Sequence, residues 1–533
     1  MKKLLASIAF PFLFTACAGH GGPSDDLVSD GIELQRGPQT SHDVKHDISP
    51  PLRNLSPVPP SLGKRERELR LFPPPDGLAE GTPDPVAQTG AAALGAATGI
   101  LNFAGVGEGD YGFSPDAAPP DTNGAVGATQ FVQWVNESFA VFDKTTGALL
   151  FGPAAGNTLW KGFGGPCEAN NDGDPIAQYD KISNRWVLTQ FSITNGGTQG
   201  FFQCVAVSTT SDATGSYFRY SFAQPSLNDY PKVGVWPDAY YVTFNMFGAT
   251  FQGARVCALD RKAMVAGGAA TQQCFQLSTS FASLLPSDLD GPSSPPPVGS
   301  PNYLLNFGTN SLRLWKFHVD FANPANSTLA GPQTIGVAAF SPACSGGNCI
   351  PQLETRQRLD SLGDRLMYRL AYRNRGGIET LVVNHSVRVS GTRRSQVVGV
   401  RWYEVRNPNG TPLVFQQATF SPDATSRWMG SAAMDKLGNL AVGFSASSEL
   451  IHPAIRLAVR QSTDPVGTLQ AESSIIEGGG SQLANLARWG DYSSMSVDPV
   501  DDCTFWYTQE YLKVNGTFNW STRIAAVKVA GCQ

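Results

Sequence analysis

The sequence predicts an all-β protein whose folded part is a single β-propeller with seven blades, and three observations favour that fold. After about residue 110 a pattern recurs, in which a polar start leads into a small apolar run, an Asp/Gly/Asn turn and an aromatic strand. Gly and Pro are abundant, at 56 and 38 residues, and long amphipathic helical patterns are scarce. Charged residues make up only 16% of the chain. Such a repeat is typical of radial or stacked β architectures.

The repeat is clearest in three places. These are Gly173–Asp180 leading into Arg185–Leu188, Arg427–Asp435 leading into Asn439–Val442, and Arg488–Asp498 leading into Cys503–Tyr507. Counting by starting motif gives seven units, beginning near Asp121, Asp174, Asp229, Asn302, Arg365, Trp428 and Trp489. The fourth start is the weakest, so six or eight blades stay open. The spacing exceeds the roughly 40–50 residues of a common blade, which implies long loops, and the Pro-rich stretch Leu285–Pro301 is the clearest insertion. A β-helix has a far shorter repeat.

The first 17 residues have the pattern of an export signal. A basic start at Met1–Lys3 precedes the apolar run Leu4–Phe14, which is too short to span a bilayer. The ending Phe14-Thr15-Ala16-Cys17 resembles a bacterial lipoprotein signal, which implies lipidation at Cys17. The residue after Cys17 is Ala18 rather than Asp, and by the same resemblance this implies an outer-membrane lipoprotein. A periplasmic or cell-surface location is also consistent with the signal. Ordinary secretory cleavage nearby is the alternative.

Residues 18–110 are predicted to be a flexible tether, and residues 111–533 the propeller. The first of these stretches is rich in Pro, Ser, Gly and charge and has no sustained hydrophobic period. Within it, Arg65–Leu71 is a candidate docking segment. The net charge of −5, without a Lys/Arg stripe, argues against nucleic-acid binding. We expect a monomer that contacts the membrane only through its lipid anchor.

Cysteine usage also favours an exported protein. Besides Cys17 the chain has eight cysteines, an even number that predicts disulfide bonds. Eight cysteines allow 105 pairings, so the connectivity does not follow from the sequence. Local pairing would join Cys167 to Cys204, Cys257 to Cys274, Cys344 to Cys349, and Cys503 to Cys532. A zinc site is disfavoured because there is no tight CxxC pair with a neighbouring His.

The region from Pro119 to Cys532 resembles a family of bacterial exported proteins without assigned activity. The matching stretches are Pro119–Gly124, Asn228–Lys232, Asp364–Arg369 and Arg488–Tyr492. More loosely, Trp489–Tyr492 followed by Val497–Pro499 is similar to segments of sialidase-like propellers. The Asp-box of sialidases is present only in degraded form, as in Met434–Asn439, and their Arg-Ile-Pro opening is absent. The resemblance therefore implies the fold rather than sialidase activity.

Charged residues of the starting motifs are the candidate site, because the loops leading into the innermost strands of a propeller cover one face. The candidate acids, bases and nucleophiles are Asp121, Asp174, Asp229, Asp491 and Tyr492, and the candidate substrate-binding residues are Asn123, Lys232, Arg369, Arg427 and Arg488, with Arg365 as an alternative to Arg369. Two carboxyl groups hydrolyse glycosidic bonds, and arginines bind acidic sugars through paired hydrogen bonds. Tyrosine acts as a nucleophile in sialidases and as a proton donor in some lyases.

These residues predict a glycosidase or lyase that needs no cofactor. The alternative is a propeller without catalytic activity. Asp and Arg at such positions often cap turns and join neighbouring blades, which would leave a non-catalytic ligand-binding or assembly module. Trp428 and Trp489 suit packing between blades better than sugar stacking. His385 lies in an apolar run and suits a strand better than catalysis. The segment Asn170–Asp174 offers oxygen ligands for a structural Ca²⁺, but it lacks the length and closing Glu of an EF-hand loop, so a turn is favoured.

Overall fold

The computed structural model describes residues 33–59, 63–68, 70–79, 81–90, 97–392 and 395–533. The export signal and Cys17 lie outside these residues, so both stay predictions. The described chain is nearly all β and forms antiparallel four-stranded units arranged as a propeller, which confirms the predicted fold class. The innermost strands of successive units contact one another, and the innermost strand of the last contacts that of the first, so the ring is closed.

Seven four-stranded units can be counted in the described residues, and each is numbered here in chain order. Their strands, from the innermost outwards, are as follows: unit 1, Asn123–Val126, Gln130–Val135, Ser138–Asp143 and Leu149–Ala155; unit 2, Ile176–Asp180, Arg185–Ile193, Phe201–Ser208 and Tyr217–Gln224; unit 3, Leu227–Val235, Tyr240–Phe247, Phe251–Leu259 and Thr271–Gln276; unit 4, Leu285–Asp290, Asn302–Gly308, Ser311–His318 and Thr328–Gly336; unit 5, Met367–Arg375, Ile378–Ser390, Val397–Arg406 and Leu413–Phe420; unit 6, Ser426–Met434, Leu440–Ser448, Ile451–Arg460 and Ser473–Ile476; unit 7, Ser494–Val497, Thr504–Leu512, Trp520–Val529 and Ala97–Ala104.

The start of unit 4 differs from the sequence prediction. Its innermost strand is Leu285–Asp290, within the stretch interpreted as an insertion, and Asn302 begins the second strand instead. The loop between them carries the prolines. The innermost strand contains Asp288 and Asp290, so it does not read as an apolar run. It pairs in parallel with the innermost strand of unit 5, which merges the two units into one sheet.

The segment before unit 1 wraps around the propeller, so the prediction of a flexible tether is wrong for its described residues. Glu33–Arg36, Gln39–His42 and Lys45–Ile48 add a fifth, outer strand to units 4, 3 and 2 in turn. Ala97–Ala104 pairs with Trp520–Val529 and so closes the ring between the two ends of the chain. These strands lie at sheet edges with most side chains exposed, so they carry no hydrophobic period that the sequence could reveal.

The remaining elements are short. Ala87–Gln88 pairs with unit 5, Arg65–Glu66 pairs with Ala117–Ala118, and Asn348–Gln352 pairs with Thr355–Asp360. The pairing of Arg65–Glu66 confirms that this segment docks. The helices are Pro166–Ala169 and Arg261–Ala266, with 3-10 turns at Leu52–Asn54, Asp110–Gly112, Gly156–Trp160, Thr194–Gly197, Pro324–Asn326 and Ala343–Gly346. No helix among the described residues is long and apolar enough to cross a membrane.

Four disulfide bonds fasten the units, and they are the four local pairings named from the sequence: Cys167–Cys204, Cys257–Cys274, Cys344–Cys349 and Cys503–Cys532. The last one joins the start of the second strand of unit 7 to the segment that follows its third strand. Trp428 and Trp489 are fully buried and pack against each other with ring centres 6.0 Å apart, which confirms their packing role. His385 is fully buried against Phe307 and Phe340 and contacts the Tyr403 hydroxyl at 2.9 Å, which suits a structural role.

Candidate functional site

The loops that lead into the innermost strands meet at a cavity of about 220 Å³ on one face of the ring. Its lining combines acidic, basic and aromatic side chains: Arg67, Glu68, Arg70, Asp121, Asp174, Phe191, Ile193, Leu227, Asp229, Tyr230, Arg365, Arg488 and Asp491. All four predicted aspartates and the predicted Arg488 are therefore brought together. We call this cavity the axial pocket.

The aspartates converge because the units repeat the same backbone conformation. Asp121, Asp174 and Asp491 have φ values of 47°, 48° and 60°, and Tyr230, which follows Asp229, has a φ of 56°. This left-handed conformation is uncommon for residues other than Gly, and Asp tolerates it better than most. It places a sharp bend directly before the innermost strands of units 1, 2 and 7, and a similar bend within the innermost strand of unit 3. Equivalent carboxyl groups from several units consequently reach one cavity.

Burial and neighbouring charges raise the pKa of three carboxyl groups in the pocket, those of Asp121, Asp174 and Asp229. Burial, the Asp491 charge and the Asp174 charge raise the pKa of Asp121 well above its usual range. Burial also raises the pKa of Asp174, although Lys232 opposes the rise. Burial and the neighbouring Asp174 raise the pKa of Asp229 to about 7. The pocket can therefore hold both protonated and ionised carboxyl groups at neutral pH.

Two of the carboxyl groups keep an oxygen without a partner. Oδ1 of Asp121 and Oδ1 of Asp491 are buried and accept no hydrogen bond from the described residues. Asp174 is better satisfied, since its Oδ2 accepts a hydrogen bond of 2.9 Å from the Tyr230 amide. Unsatisfied buried oxygens are costly, so they indicate a position that a ligand or water would complete.

Arginines balance part of this negative charge. Arg488 donates from Nη2 to Asp491 Oδ2 and from Nη1 to the Arg67 carbonyl at 2.7 Å. Arg365 donates from Nε and Nη2 to the two oxygens of Asp364, at 2.8 and 3.0 Å. Both guanidinium groups line the pocket while remaining bound to a carboxylate of the chain. Arg365, rather than Arg369, is thus the arginine that unit 5 contributes.

A fully buried lysine, Lys232, lies between two tyrosine rings and is not part of the pocket lining, which corrects its predicted substrate-binding role. The Lys232 ammonium lies 3.4 Å from the ring centre of Tyr230 and 4.0 Å from that of Tyr492, and it donates to the Pro231 carbonyl at 2.9 Å. Burial lowers the pKa of Lys232 to about 7, although Asp174, Asp121 and Asp491 oppose the fall. Lys232 therefore lies below the carboxylates as a compensating charge.

Tyr492 does not line the pocket, which corrects its predicted role as a nucleophile or proton donor. Its side chain is fully buried beneath the cavity, and its hydroxyl donates to the Pro175 carbonyl at 3.0 Å. Burial and the charges of Asp121 and Asp174 raise its pKa well above the usual value. A phenol in these surroundings resists ionisation. Asp491 and Tyr492 are adjacent in sequence, yet only Asp491 reaches the cavity.

Two acids beside the pocket were missed as candidates. Asp360 is fully buried with Oδ2 3.2 Å from Arg488 Nε, and neither of its oxygens accepts a hydrogen bond among the described residues. Burial raises its pKa to about 8 in spite of Arg488. Glu510 accepts a hydrogen bond from the Gly490 amide at 2.7 Å, and burial raises its pKa well above normal. Asp360 belongs to no starting motif, because it is the last residue of the hairpin strand Thr355–Asp360, which is inserted between units 4 and 5.

A segment ahead of unit 1 crosses the rim of the pocket. We call the described residues 63–68 and 70–79 the strap. The Arg67 side chain binds Glu137, and the Arg70 carbonyl accepts a hydrogen bond of 2.9 Å from Arg365. The Phe72 amide donates to Asp364 at 2.8 Å. The strap thus supplies Arg67, Glu68 and Arg70 to the lining and narrows the opening.

Three other predicted site residues lie away from the pocket, which corrects their predicted substrate-binding roles. Arg369 is buried deeper in the ring, where it binds Asp288 and Asp290. Arg427 lies within the first strand of unit 6 and binds Asp423 and Glu472. Asn123 accepts a hydrogen bond from the Ala177 amide at 2.6 Å and joins units 1 and 2.

The side chains of the candidate calcium segment have separate partners. Asn171 donates to the Glu137 carbonyl at 2.8 Å, Asp172 accepts from the Ile193 amide at 2.7 Å, and Asp174 faces the axial pocket. Across the described ranges, no three His, Cys, Asp or Glu side chains are grouped as metal ligands. A structural Ca²⁺ stays a prediction.

Comparisons with known proteins give no family. No protein-family model and no curated protein matches the chain. Among solved structures, the N-terminal domain of Nup159 aligns with a TM-score of 0.37 at 8% identity, covering 84% of this chain and 100% of that chain. The WD40 domain of SCAP from fission yeast aligns with a TM-score of 0.33 at 9% identity, covering 76% of this chain and 82% of that chain. The endo-arabinase from Bacteroides thetaiotaomicron aligns with a TM-score of 0.27 at 14% identity, covering 55% of this chain and 94% of that chain. Likeness at this level carries no information about ligand or activity.

Proposed function

We propose that this propeller acts on glycans as a glycoside hydrolase, with the axial pocket as its active site. The observation that carries the proposal is the set of carboxyl groups lining one cavity with pKa values driven upwards, above all Asp229 at about 7. Glycoside hydrolysis needs one protonated carboxyl group and one ionised carboxylate on either side of the scissile bond. Perturbed acids in a cavity are typical of catalytic sites.

Asp229 is the proposed general acid. It lines the pocket, its carboxyl group is held protonated up to about pH 7, and its side chain forms no hydrogen bond within the described residues. It is therefore free to donate a proton to the leaving-group oxygen. Asp174 is the proposed partner, since the two charges interact directly and Lys232 favours ionisation of Asp174. Asp174 would act as the nucleophile or as the base that activates water.

The surrounding groups suit a substrate that donates hydrogen bonds. The free oxygens of Asp121 and Asp491 accept hydrogen bonds, and sugar hydroxyls supply them. Arg67 and Arg70 bring positive charge to the rim, where an acidic sugar would gain from it. A lyase that uses a tyrosine is disfavoured, because Tyr492 is buried and its hydroxyl is bound to Pro175.

The test is release of reducing ends from a panel of acidic and neutral glycans by the purified chain. We expect the Asp229→Asn variant to lose about 10²–10⁴-fold in kcat while keeping its fold. The matched control is Glu449→Gln, since Glu449 is an exposed carboxylate far from the pocket lining. Activity of the wild type should fall as pH rises through about 7, where Asp229 loses its proton. Equal activity in Asp229→Asn and wild type would contradict the assignment.

A non-catalytic binding module is the second candidate, and one observation favours it. Arg488 and Arg365 are already bound to Asp491 and Asp364 of the same chain, and the strap covers part of the pocket. Charges that pair internally suit a structural hub or a weak ligand site. Binding of a glycan without any release of product would favour this module.

Export to the outer membrane with a lipid at Cys17 completes the proposal. Four disulfide bonds support an oxidising compartment, since such bonds are rare in the cytosol. Radiolabelled palmitate incorporated into the wild type, and absent from Cys17→Ser, would be the expected result. Equal label in both proteins would contradict it.

A further inference from the structure

A second cavity of about 360 Å³ lies beside the axial pocket, between the strap and units 3 and 4. Its lining is aromatic and polar: Phe72, Pro73, Pro74, Pro75, Asp76, Phe251, Thr279, Ser280, Ala282, Asn306, Phe307, Gly308, Thr309, Arg313 and Asp364. The volume falls in the range of about 300–1,000 Å³ that is usual for small-molecule sites. We call it the lateral cavity.

Arg313 is the cationic group of the lateral cavity, and it is unpaired. Within the described residues it forms no hydrogen bond and no ion pair, and its guanidinium lies 5.5 Å from the Phe281 ring centre. Burial lowers its pKa, with no carboxylate opposing the fall. Asp76 also lines the cavity, but as an exposed strap residue outside ion-pair distance of Arg313. An anion bound here would find a free guanidinium.

The position of Arg313 depends on a glycine. A Cβ at Gly308 would lie 2.7 Å from the guanidinium carbon, so a side chain at that position would displace the group. The glycine therefore lets the guanidinium lie flat against the strand. Such planar donors bind carboxylates through two parallel hydrogen bonds.

Asn306 adds an unsatisfied acceptor to the same cavity. Its Nδ2 donates to the Ala282 carbonyl at 2.6 Å, which fixes the orientation of the amide, and its Oδ1 is buried without a partner. A ligand that completes this site must donate a hydrogen bond there. Hydroxyl groups do so, and an anion alone does not.

Aromatic side chains form the remaining walls. Phe72 and Phe251 have ring centres 4.8 Å apart, and Phe307 is almost fully buried behind them. Such rings offer an apolar surface to a ligand face made of C–H groups. The lateral cavity thus combines a guanidinium, a hydroxyl acceptor and an apolar wall.

We propose that the lateral cavity binds one carboxylate-bearing sugar of an acidic glycan chain. The inference rests on the proposed function and names its substrate class. Arg313 binds the carboxylate, Asn306 Oδ1 accepts from a ring hydroxyl, and the rings of Phe72 and Phe251 contact the apolar face of the sugar. Adjacent residues link the two cavities, because Asp364 lines the lateral cavity and Arg365 lines the axial pocket. The glycan chain extends from one cavity to the other.

The test measures binding of tetragalacturonate to the full chain by calorimetry, with neutral galactotetraose as the comparison ligand. The Asp229→Asn background prevents turnover during the titration. Adding Arg313→Gln should weaken tetragalacturonate binding about ten- to hundredfold, because a charge-assisted pair is lost. Adding Gly308→Ala should also weaken it, while keeping the charge. Arg356→Gln removes an exposed arginine outside both linings and should change nothing.

Three results would overturn the inference: unchanged affinity in Arg313→Gln, equal affinity for the neutral tetramer, or no binding of tetragalacturonate. In otherwise wild-type protein, Arg313→Gln should raise KM for an acidic glycan without changing kcat. The proposed function fails separately. If the Arg313-dependent binding is found but no glycan is cleaved, sugar binding in the lateral cavity is supported and the proposed hydrolase activity is contradicted. If neutral glycans alone are cleaved, the hydrolase stands and the lateral cavity does not.

Discussion

Two groups of buried charge lie at the centre of the ring, and they are built differently. In the deeper one, which we call the closed cluster, Arg369 and Lys181 face Asp288 and Asp290. Arg369 Nη1 is 2.8 Å from Asp290, its Nε is 3.1 Å from Asp288, and Lys181 Nζ is 3.1 Å from Asp290. Burial raises the pKa of Asp288, whereas Arg369 and Lys181 outweigh burial at Asp290 and lower its pKa.

The axial pocket has the opposite character. Its carboxyl groups crowd one another, and the pKa values of Asp121, Asp174 and Asp229 are all raised. It opens to a cavity, and buried oxygens of Asp121 and Asp491 lack partners. A matched cluster joins strands, whereas a mismatched one sacrifices stability and is expected where chemistry needs a movable proton. The contrast supports the proposal that the pocket, rather than the closed cluster, is the functional site.

The largest expected effect is on stability and concerns the closed cluster. Arg369→Met leaves Asp288 and Asp290 buried, with Lys181 as their remaining direct ion-pair partner among the described residues, so the free energy of unfolding should fall by about 3–5 kcal/mol. Chemical denaturation measures this, with Arg356→Gln as the exposed control. A loss below about 1 kcal/mol would remove the distinction between the two groups of charge.

An intermediate effect on the free energy of unfolding is expected for a substitution of Asp360, and its size depends on pH. Its pKa is about 8 in the folded protein, against about 3.9 in an unfolded chain. The folded state therefore holds the proton more tightly, and this residue makes stability fall as pH rises from about 4 to 8. Lys232, with a pKa of about 7, acts in the opposite direction above pH 7.

Asp360→Asn should accordingly flatten the dependence of stability on pH between about 4 and 8. At pH 8 we expect the variant to be more stable than the wild type, measured by denaturation at several pH values. A variant whose curve keeps the wild-type slope would show that Asp360 is ionised at low pH, as an ordinary paired carboxylate is.

The smallest expected effect on stability is at Asp229. Its pKa of about 7 lies below the value of about 8 for Asp360, so Asp229→Asn should raise the free energy of unfolding at pH 8 by less than Asp360→Asn does. The same variant is expected to lose catalysis. A large loss of stability would instead place Asp229 among the structural charges.

The repeat explains why much of the pocket was predictable. Asp121, Asp174 and Asp491 lie at a backbone bend just before innermost strands, and Asp229 directly precedes the same bend inside the innermost strand of unit 3, so the four carboxyl groups reach one cavity. The same logic failed for Arg427, because the first strand of unit 6 already begins at Ser426, whereas that of unit 7 begins at Ser494, six residues after Arg488. Arg427 therefore belongs to a strand and Arg488 to a loop.

Contributions from outside the repeat were not predictable. The strap returns to the pocket through backbone hydrogen bonds and a few arginines, and these leave no hydrophobic period in the sequence. Unit 4 was misplaced because its innermost strand carries Asp288 and Asp290 at positions that are commonly apolar. Both failures arise where tertiary contacts, rather than local pattern, decide the structure.

The most direct measurement is the pKa of Asp229 itself, because it does not require the substrate to be known. Carboxyl ¹³C signals of aspartate-labelled protein would be followed from pH 4 to 9, with Asp229 assigned by the signal missing in Asp229→Asn. A midpoint near pH 7 is the expected result. A midpoint near 4, the ordinary value for aspartate, would contradict the claim that the axial pocket holds a protonated acid at neutral pH.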